Sequence, residues 1–124
     1  MNVQQKLILF LESLDYSAAV ISPGSRNAPI IQALTSLGKP NYSIIDERSA
    51  GFVALGMAKA LGKPVVLCCT SGTALLNYYP AIAEAFYARV PLVILSADRP
   101  PEKIDSWDGQ AIRQNTVFQN HRRA

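Results

Sequence analysis

Apolar residues at positions 3, 7, 8, 11 and 14 recur at helical spacing, so residues 2–14 read as an amphipathic helix. The run "AAVIS" (18–22) reads as a short buried strand. Pro23 and Gly24 then force a turn, and a second helix leads from it to about Leu37, closed by Gly38 and Pro40. "YSII" reads as a strand that ends, buried, at Ile45. From Glu47 to Leu61 the helical period returns, and Ala50, Gly51, Ala54, Gly56, Ala58 and Ala60 are small enough to let that helix lie close to a neighbour; Gly62 stops it. "PVVLCCT" (64–70) and "PLVILSA" (91–97) are continuous apolar strands, with "SGTALLNYYPAIAEAFYAR" between them as a turn and one helix. Beyond Pro101 the regularity fades into a long connection with room for one helical turn.

Strand, turn and helix repeated four times, with the later strands apolar on both faces, predicts an α/β fold: a doubly wound parallel sheet with helices on both faces. Right-handed crossovers put every strand-to-helix turn at one edge of that sheet, the edge where ligands of open α/β sheets bind. Four polar turns therefore converge: Ser22 to Asn27, Asp46 to Ser49, Thr70 to Thr73, and Ser96 to Pro100.

Composition narrows the function. The 124 residues, 49% apolar and 17% charged, suffice for one domain with a core, so 1–124 is expected to be a single domain. The net charge of +3 owes much to Arg122 and Arg123, and no basic run interleaved with aromatics suggests nucleic acid. The apolar start is too short and interrupted for a membrane span and lacks the flank and cleavage site of a signal peptide, so a cytoplasmic protein is expected. Cys68 and Cys69 are adjacent on a strand and point to opposite faces, which suits core packing and not a disulfide.

Each turn admits an ordinary and a chemical role. Asp46 can cap a helix whose first turn holds Glu47 at the positive end of the dipole. Alternatively, Glu47 at an apolar sheet edge exchanges a proton with a bound ring nitrogen. In "SPGSR", Gly24 and Ser25 offer backbone N–H groups to an anion and Arg26 offers a fork for a carboxylate or phosphate, or the stretch is a plain Pro-Gly turn with a surface arginine. "TSGT" (70–73) is a good turn and cap without the lysine of a triphosphate loop. Asp98 and Arg99 after the last strand suit an ion pair, and Gln110 and Arg113 share a face if their stretch is helical. His121 is the one histidine and sits in a basic tail. No Cys, His or Asp cluster has metal-ligand spacing.

Together, "ISPGSRNAPI", "DERSAGFVALGMAKALGKPVVLCCTSGTALLNYYPAIAEA" and "PLVILSADRPPE...GQAIRQ" resemble the N-terminal, pyrimidine-binding domain of the 2-succinyl-5-enolpyruvyl-6-hydroxy-3-cyclohexene-1-carboxylate synthase family, thiamine diphosphate enzymes of menaquinone biosynthesis. The resemblance covers about residues 3–120. It implies that Glu47 is the catalytic glutamate bonded to the aminopyrimidine ring of thiamine diphosphate, and that Thr70, Ser71 and Gly72 line the cofactor. It further implies that Ser25, Arg26, Arg99 and Gln110 face isochorismate, the dicarboxylate that accepts a succinyl-semialdehyde unit from 2-oxoglutarate. Gly109 stands where family members often carry asparagine. The resemblance implies a fragment of a three-domain enzyme, whose Mg2+ and diphosphate are bound by another domain, supplied by a second subunit of a homodimer or homotetramer. "DGQ" (108–110) is not the Gly-Asp-Gly motif of such a domain. Another thiamine carboligase, acetolactate synthase-like, and a non-catalytic binding module are the alternatives.

Overall fold

Each helix begins or ends on a local signal in the computed structural model, which describes residues 1–123. Helix α1 (Val3–Ser13) opens on a capping box. Asn2 Oδ1 accepts from the Gln5 N–H at 2.8 Å, and Gln5 Oε1 accepts from the Asn2 N–H at 2.9 Å. Two backbone donors that the helix start would otherwise strand are thereby satisfied. Strand β1 (Ala18–Ile21) leads to α2 (Ala28–Ser36), which carries Pro29 in the first turn, where a missing N–H costs nothing. Strand β2 (Asn41–Ser43) precedes α3 (Glu47–Leu61), and α3 ends at Gly62, whose φ of +66° suits a residue without Cβ. Strand β3 (Val65–Cys69), helices α4 (Thr73–Leu76) and α5 (Tyr79–Ala88), and strand β4 (Leu92–Ser96) follow, then two 3-10 turns at Pro101–Lys103 and Gln119–His121.

Two local expectations are corrected. The strand read as "YSII" stops at Ser43: Ile44 N–H still donates to Ile21 O at 2.9 Å, but the chain then turns outward to the α3 cap and Ile45 is 82% exposed. Edge position explains this, because β2 has a sheet neighbour on one side only. The helix expected over the whole stretch after "TSGT" is broken into α4 and α5 at Asn77–Tyr78. Pro80 lacks the N–H for a bond to Leu76, and its ring would press on that carbonyl.

All four strands are parallel, in the order β2-β1-β3-β4. Side chains alternate across the sheet. Val65, Leu67 and Cys69 of β3 and Val20 of β1 pack under α3 and α5 with Ala50, Ala54, Ala58, Tyr78 and Ile82. Val66 and Cys68, with Ala19 and Ile21, pack on the opposite face against Leu11, Tyr16, Ala33 and Leu34 of the α1–α2 layer. Helices α3 and α5 approach so closely that a Cβ on Gly51 would lie 3.0 Å from that of Ala81. Every residue of β3 is buried, whereas every residue of edge strand β4 is half-exposed beside an open groove that includes Phe10, Ile82, Phe86 and His121. The chain leaves β1 toward one edge of the sheet and β3 toward the other. The turns after these two strands thus flank the switch point where α/β sheets open a crevice. Among the described residues, no helix is long and apolar enough to cross a membrane.

Candidate functional site at the carboxyl edge of the sheet

The turn after β1 is braced from inside. Ser22 is fully buried; its N–H donates to Cys68 O at 2.8 Å and its hydroxyl to Ile44 O at 2.7 Å, so it ties the turn to β3 and to the end of β2. Asn27, also fully buried, makes no cap bond to α2. Instead its Oδ1 accepts from Gly24 N–H at 2.9 Å, while its Nδ2 donates to Ser22 O at 3.1 Å and to Cys68 Sγ at 3.4 Å. The turn so formed presses on the next one, since a Cβ on Gly24 would lie 2.7 Å from that of Thr70. Thr70 is buried, and its hydroxyl has no hydrogen-bond partner among the described residues.

The segment after β4 folds back over the turn after β3. Ser71 Oγ donates to Gln110 O at 2.9 Å, and Gly72, at φ +86°, lies so close that a Cβ there would be 2.8 Å from Gln110 Cα. Gly72 N–H donates to Gln114 Oε1 at 2.8 Å, and Gln114 Nε2 reaches Ala97 O at 3.0 Å and Ser96 Oγ at 3.4 Å. Asp105, Trp107, Gln110 and Thr116 all have positive φ, so this segment is bent residue by residue and holds no helix that would set Gln110 and Arg113 on one face. Arg113 pairs with Asp105 at 2.9 Å instead.

Both predicted acceptor arginines reach this segment. Arg26 Nη1 donates to Gln110 Oε1 at 3.1 Å. Arg99 donates from Nη1 to Gly109 O at 2.6 Å and from Nη2 to Asp108 Oδ2 at 3.1 Å, and Lys103 shares Asp108 at 3.4 Å. The ion pair expected between Asp98 and Arg99 is therefore made with Asp108; Asp98 Oδ1 accepts from the Arg99 backbone N–H at 2.7 Å. The Arg99 side chain is 13% exposed, and charge-assisted bonds of this kind fix the direction of its guanidinium. Ser25 is exposed at the outer side of its turn.

Glu47 stands apart. It is the first residue of α3 and half-buried, and no hydrogen bond from another described residue reaches its carboxylate. Capping is done by its neighbour: Asp46 Oδ2 accepts from Ser49 N–H at 3.0 Å and Ser49 Oγ at 2.7 Å, and these bonds hold the Asp46 carboxyl below its ordinary pKa. Behind Glu47 lies an uncharged wall. Burial pushes the Cys69 thiol up to about 12, with Cys68 and the Glu47 carboxylate adding to it, and burial pushes Cys68 up to about 11. The Tyr78 hydroxyl donates to Cys68 O at 2.9 Å, and burial, with Cys69 and Glu47 as lesser causes, raises its pKa. Neither thiol supplies a thiolate at neutral pH.

Sequence reasoning grouped Arg26 and Gln110 with Ser25 and Arg99, and the structure brings Arg26 and Gln110 into contact; it gave Ser71 and Gly72 as lining the cofactor, whereas here they bond to the segment that covers them. It missed Ser22, Asn27 and Gln114, the buried side chains that hold these turns in place. Asn27 carried a faint signal, an asparagine before an Ala-Pro helix start. Gln114 carried none.

The family model described as thiamine pyrophosphate enzyme, N-terminal TPP binding domain, matches residues 1–121. A 2-succinyl-5-enolpyruvyl-6-hydroxy-3-cyclohexene-1-carboxylate synthase of Christiangramia forsetii is 58% identical over 96% of this chain and 21% of its own length. The synthase of the same name from Flavobacterium psychrophilum is 64% identical over 82% of the chain and 19% of its own length. The chain therefore spans about a fifth of these curated relatives. The fold matches the crystal structure of benzoylformate decarboxylase from Polynucleobacter necessarius, with a TM-score of 0.72 at 22% identity over 90% of this chain and 21% of that one. On this evidence the chain belongs to the family of thiamine pyrophosphate enzyme N-terminal TPP-binding domains and groups, by identity, with the 2-succinyl-5-enolpyruvyl-6-hydroxy-3-cyclohexene-1-carboxylate synthases.

Proposed function

We propose that this chain is the pyrimidine-binding domain of a longer, three-domain thiamine diphosphate synthase that decarboxylates 2-oxoglutarate and transfers the succinyl-semialdehyde unit to isochorismate. The observation that carries the proposal is the pairing of a partnerless carboxylate, Glu47, with two directed arginines, Arg26 and Arg99, along one sheet edge.

The residues fit the cofactor. Thr70 Oγ1 is buried without a partner, a costly state for a hydroxyl unless a bound group completes it. Glu47 is likewise free to accept or donate. Ser71 and Gly72 spend a hydroxyl and an N–H on the covering segment, which leaves Thr70 as the polar contact of that turn. When bound, thiamine diphosphate supplies an electron sink for the loss of carbon dioxide from a 2-oxo acid. Glu47 holds a proton at the ring nitrogen of the aminopyrimidine, and the neutral wall of Cys69 and Tyr78 keeps competing charge away from it. Arg26, Arg99, Ser25 and Gln110 bind and orient the acceptor carboxylates, a task suited to the planar guanidinium fork.

Among the described residues, no group of three or more His, Cys, Asp or Glu side chains could hold a metal ion. Mg2+ and the diphosphate are assigned to the diphosphate-binding domain of a second subunit, in a cytoplasmic homodimer or homotetramer.

The test is a substrate comparison in the full-length enzyme with thiamine diphosphate and Mg2+. Consumption of isochorismate with 2-oxoglutarate, and none by residues 1–124 alone, is the expected result. Turnover of pyruvate to acetolactate in place of that reaction would overturn the substrate assignment, and turnover by residues 1–124 alone would overturn the division of the site between subunits.

A further inference from the structure

The structure assigns Gln114 a positioning role: its buried amide clamps residues 108–114 onto the turns that follow β3 and β4, and so fixes Gln110 and the Arg26 fork in the direction needed to receive a dicarboxylate acceptor. This assignment rests on the function proposed above and deepens it.

Gln114 is 8% exposed, one of the few polar side chains in the core, and both ends of its amide are used. Its oxygen takes the Gly72 N–H, and its nitrogen gives to Ala97 O and Ser96 Oγ. One side chain therefore bonds the segment to two strand-end turns at once. A glutamate would keep the first bond and lose the donor for the second, and a leucine would leave Gly72 N–H and Ala97 O unmet.

Gln110 depends on this clamp. It is exposed, its φ is +57°, and its backbone is held by Ser71 Oγ and by contact with Gly72, the residue that Gln114 secures. Its side chain in turn meets Arg26. The path from Gln114 to Arg26 is short and runs through Gly72, Ser71 and Gln110, whereas among the described residues no hydrogen bond joins Gln114 to Glu47. Loss of the clamp should therefore disturb the acceptor and spare the donor half of the reaction.

The experiment uses the full-length enzyme loaded with thiamine diphosphate and Mg2+, as wild type, Gln114→Leu and Gln114→Glu. The KM values for isochorismate and 2-oxoglutarate are measured, together with the Kd of isochorismate by calorimetry in the absence of 2-oxoglutarate. Gln114→Leu should raise both isochorismate constants about tenfold or more, with Gln114→Glu in between, while the KM for 2-oxoglutarate stays within about twofold. If the leucine variant does not fold, the glutamate variant decides by the same split, at about threefold. Unchanged isochorismate binding in a folded variant, or equal losses for both substrates, would overturn the assignment. Wild-type enzyme that neither binds nor consumes isochorismate would instead overturn the proposed function and this assignment with it, an outcome distinguishable because it appears before any substitution is made.

Discussion

Two corners of the same sheet edge are finished to different degrees. Around Gly24, Ser71, Gly72 and Gln110 the turns are bonded to one another within the chain, the Thr70 hydroxyl excepted, and they pack so closely that a Cβ added at Gly24 or Gly72 would lie less than 3 Å from a neighbour. Around Glu47, the neighbouring Asp46 is fully committed to capping α3, while Glu47 itself is bonded to nothing among the described residues. Under the function proposed above, the contrast separates two tasks. A fork that must meet two carboxylates at set angles gains from being aimed beforehand, since orientation already settled need not be settled on binding. A carboxylate that must share a proton gains from being left unsatisfied, since a protein partner would compete for the same lone pairs.

The largest expected effect breaks the free corner. Glu47→Gln should cut turnover of the full-length enzyme by about 10²- to 10⁴-fold, yet change folding stability by less than about 1 kcal/mol, because it removes a dipole interaction and no hydrogen bond. Steady-state kinetics, deuterium exchange at the cofactor's thiazolium carbon, and chemical denaturation check this together; equal exchange rates in both proteins would remove Glu47 from the role. Next comes the aimed corner. Arg99→Ala releases Asp108 and the Gly109 carbonyl and should raise the KM for isochorismate about tenfold or more, well beyond any change for 2-oxoglutarate. Unaltered isochorismate kinetics would detach Arg99 from the acceptor.

The smallest effect reads the wall behind Glu47. The folded-state values of Cys68 and Cys69 are raised from 9.0 to about 11 and about 12, so the stability they contribute is fully present below pH 9.0 and is lost as pH rises through their folded values. Denaturation midpoints should therefore fall across that window, and Cys69→Ala should make the decline shallower. A slope identical in both proteins would mean that Cys69 does not titrate against folding.

The layers of the fold were legible because periodicity is a local property. "PVVLCCT" announced a strand buried on both faces, and the alternation of Cys68 and Cys69 between the two cores is what adjacent strand residues must do. The end of β2 was misjudged because an edge strand's burial depends on neighbours the sequence does not display. The break before α5 was written in Pro80, but the apolar run around it reads as continuous helix. At the site, the four converging turns followed from topology, and Glu47 stood out through its resemblance more than through spacing. Gln114 could not be read and Asn27 only faintly, because each matters through bonds to residues far from it in sequence or to its own turn, and such pairings leave no periodic trace.

The close approach of Gly24 to Thr70 makes these two positions a single unit of inheritance. Alanine at 24 would meet the Thr70 Cβ at 2.7 Å, and alanine at 70 would still present that carbon, so only glycine at 70 opens the space. The order of steps is then constrained: a lineage would first have to give up the hydroxyl at 70, a buried group unpartnered among the described residues, before any side chain could appear at 24. Drift at a half-buried glycine is thus policed by a threonine in the neighbouring turn, and the two letters should travel together wherever this crevice is kept.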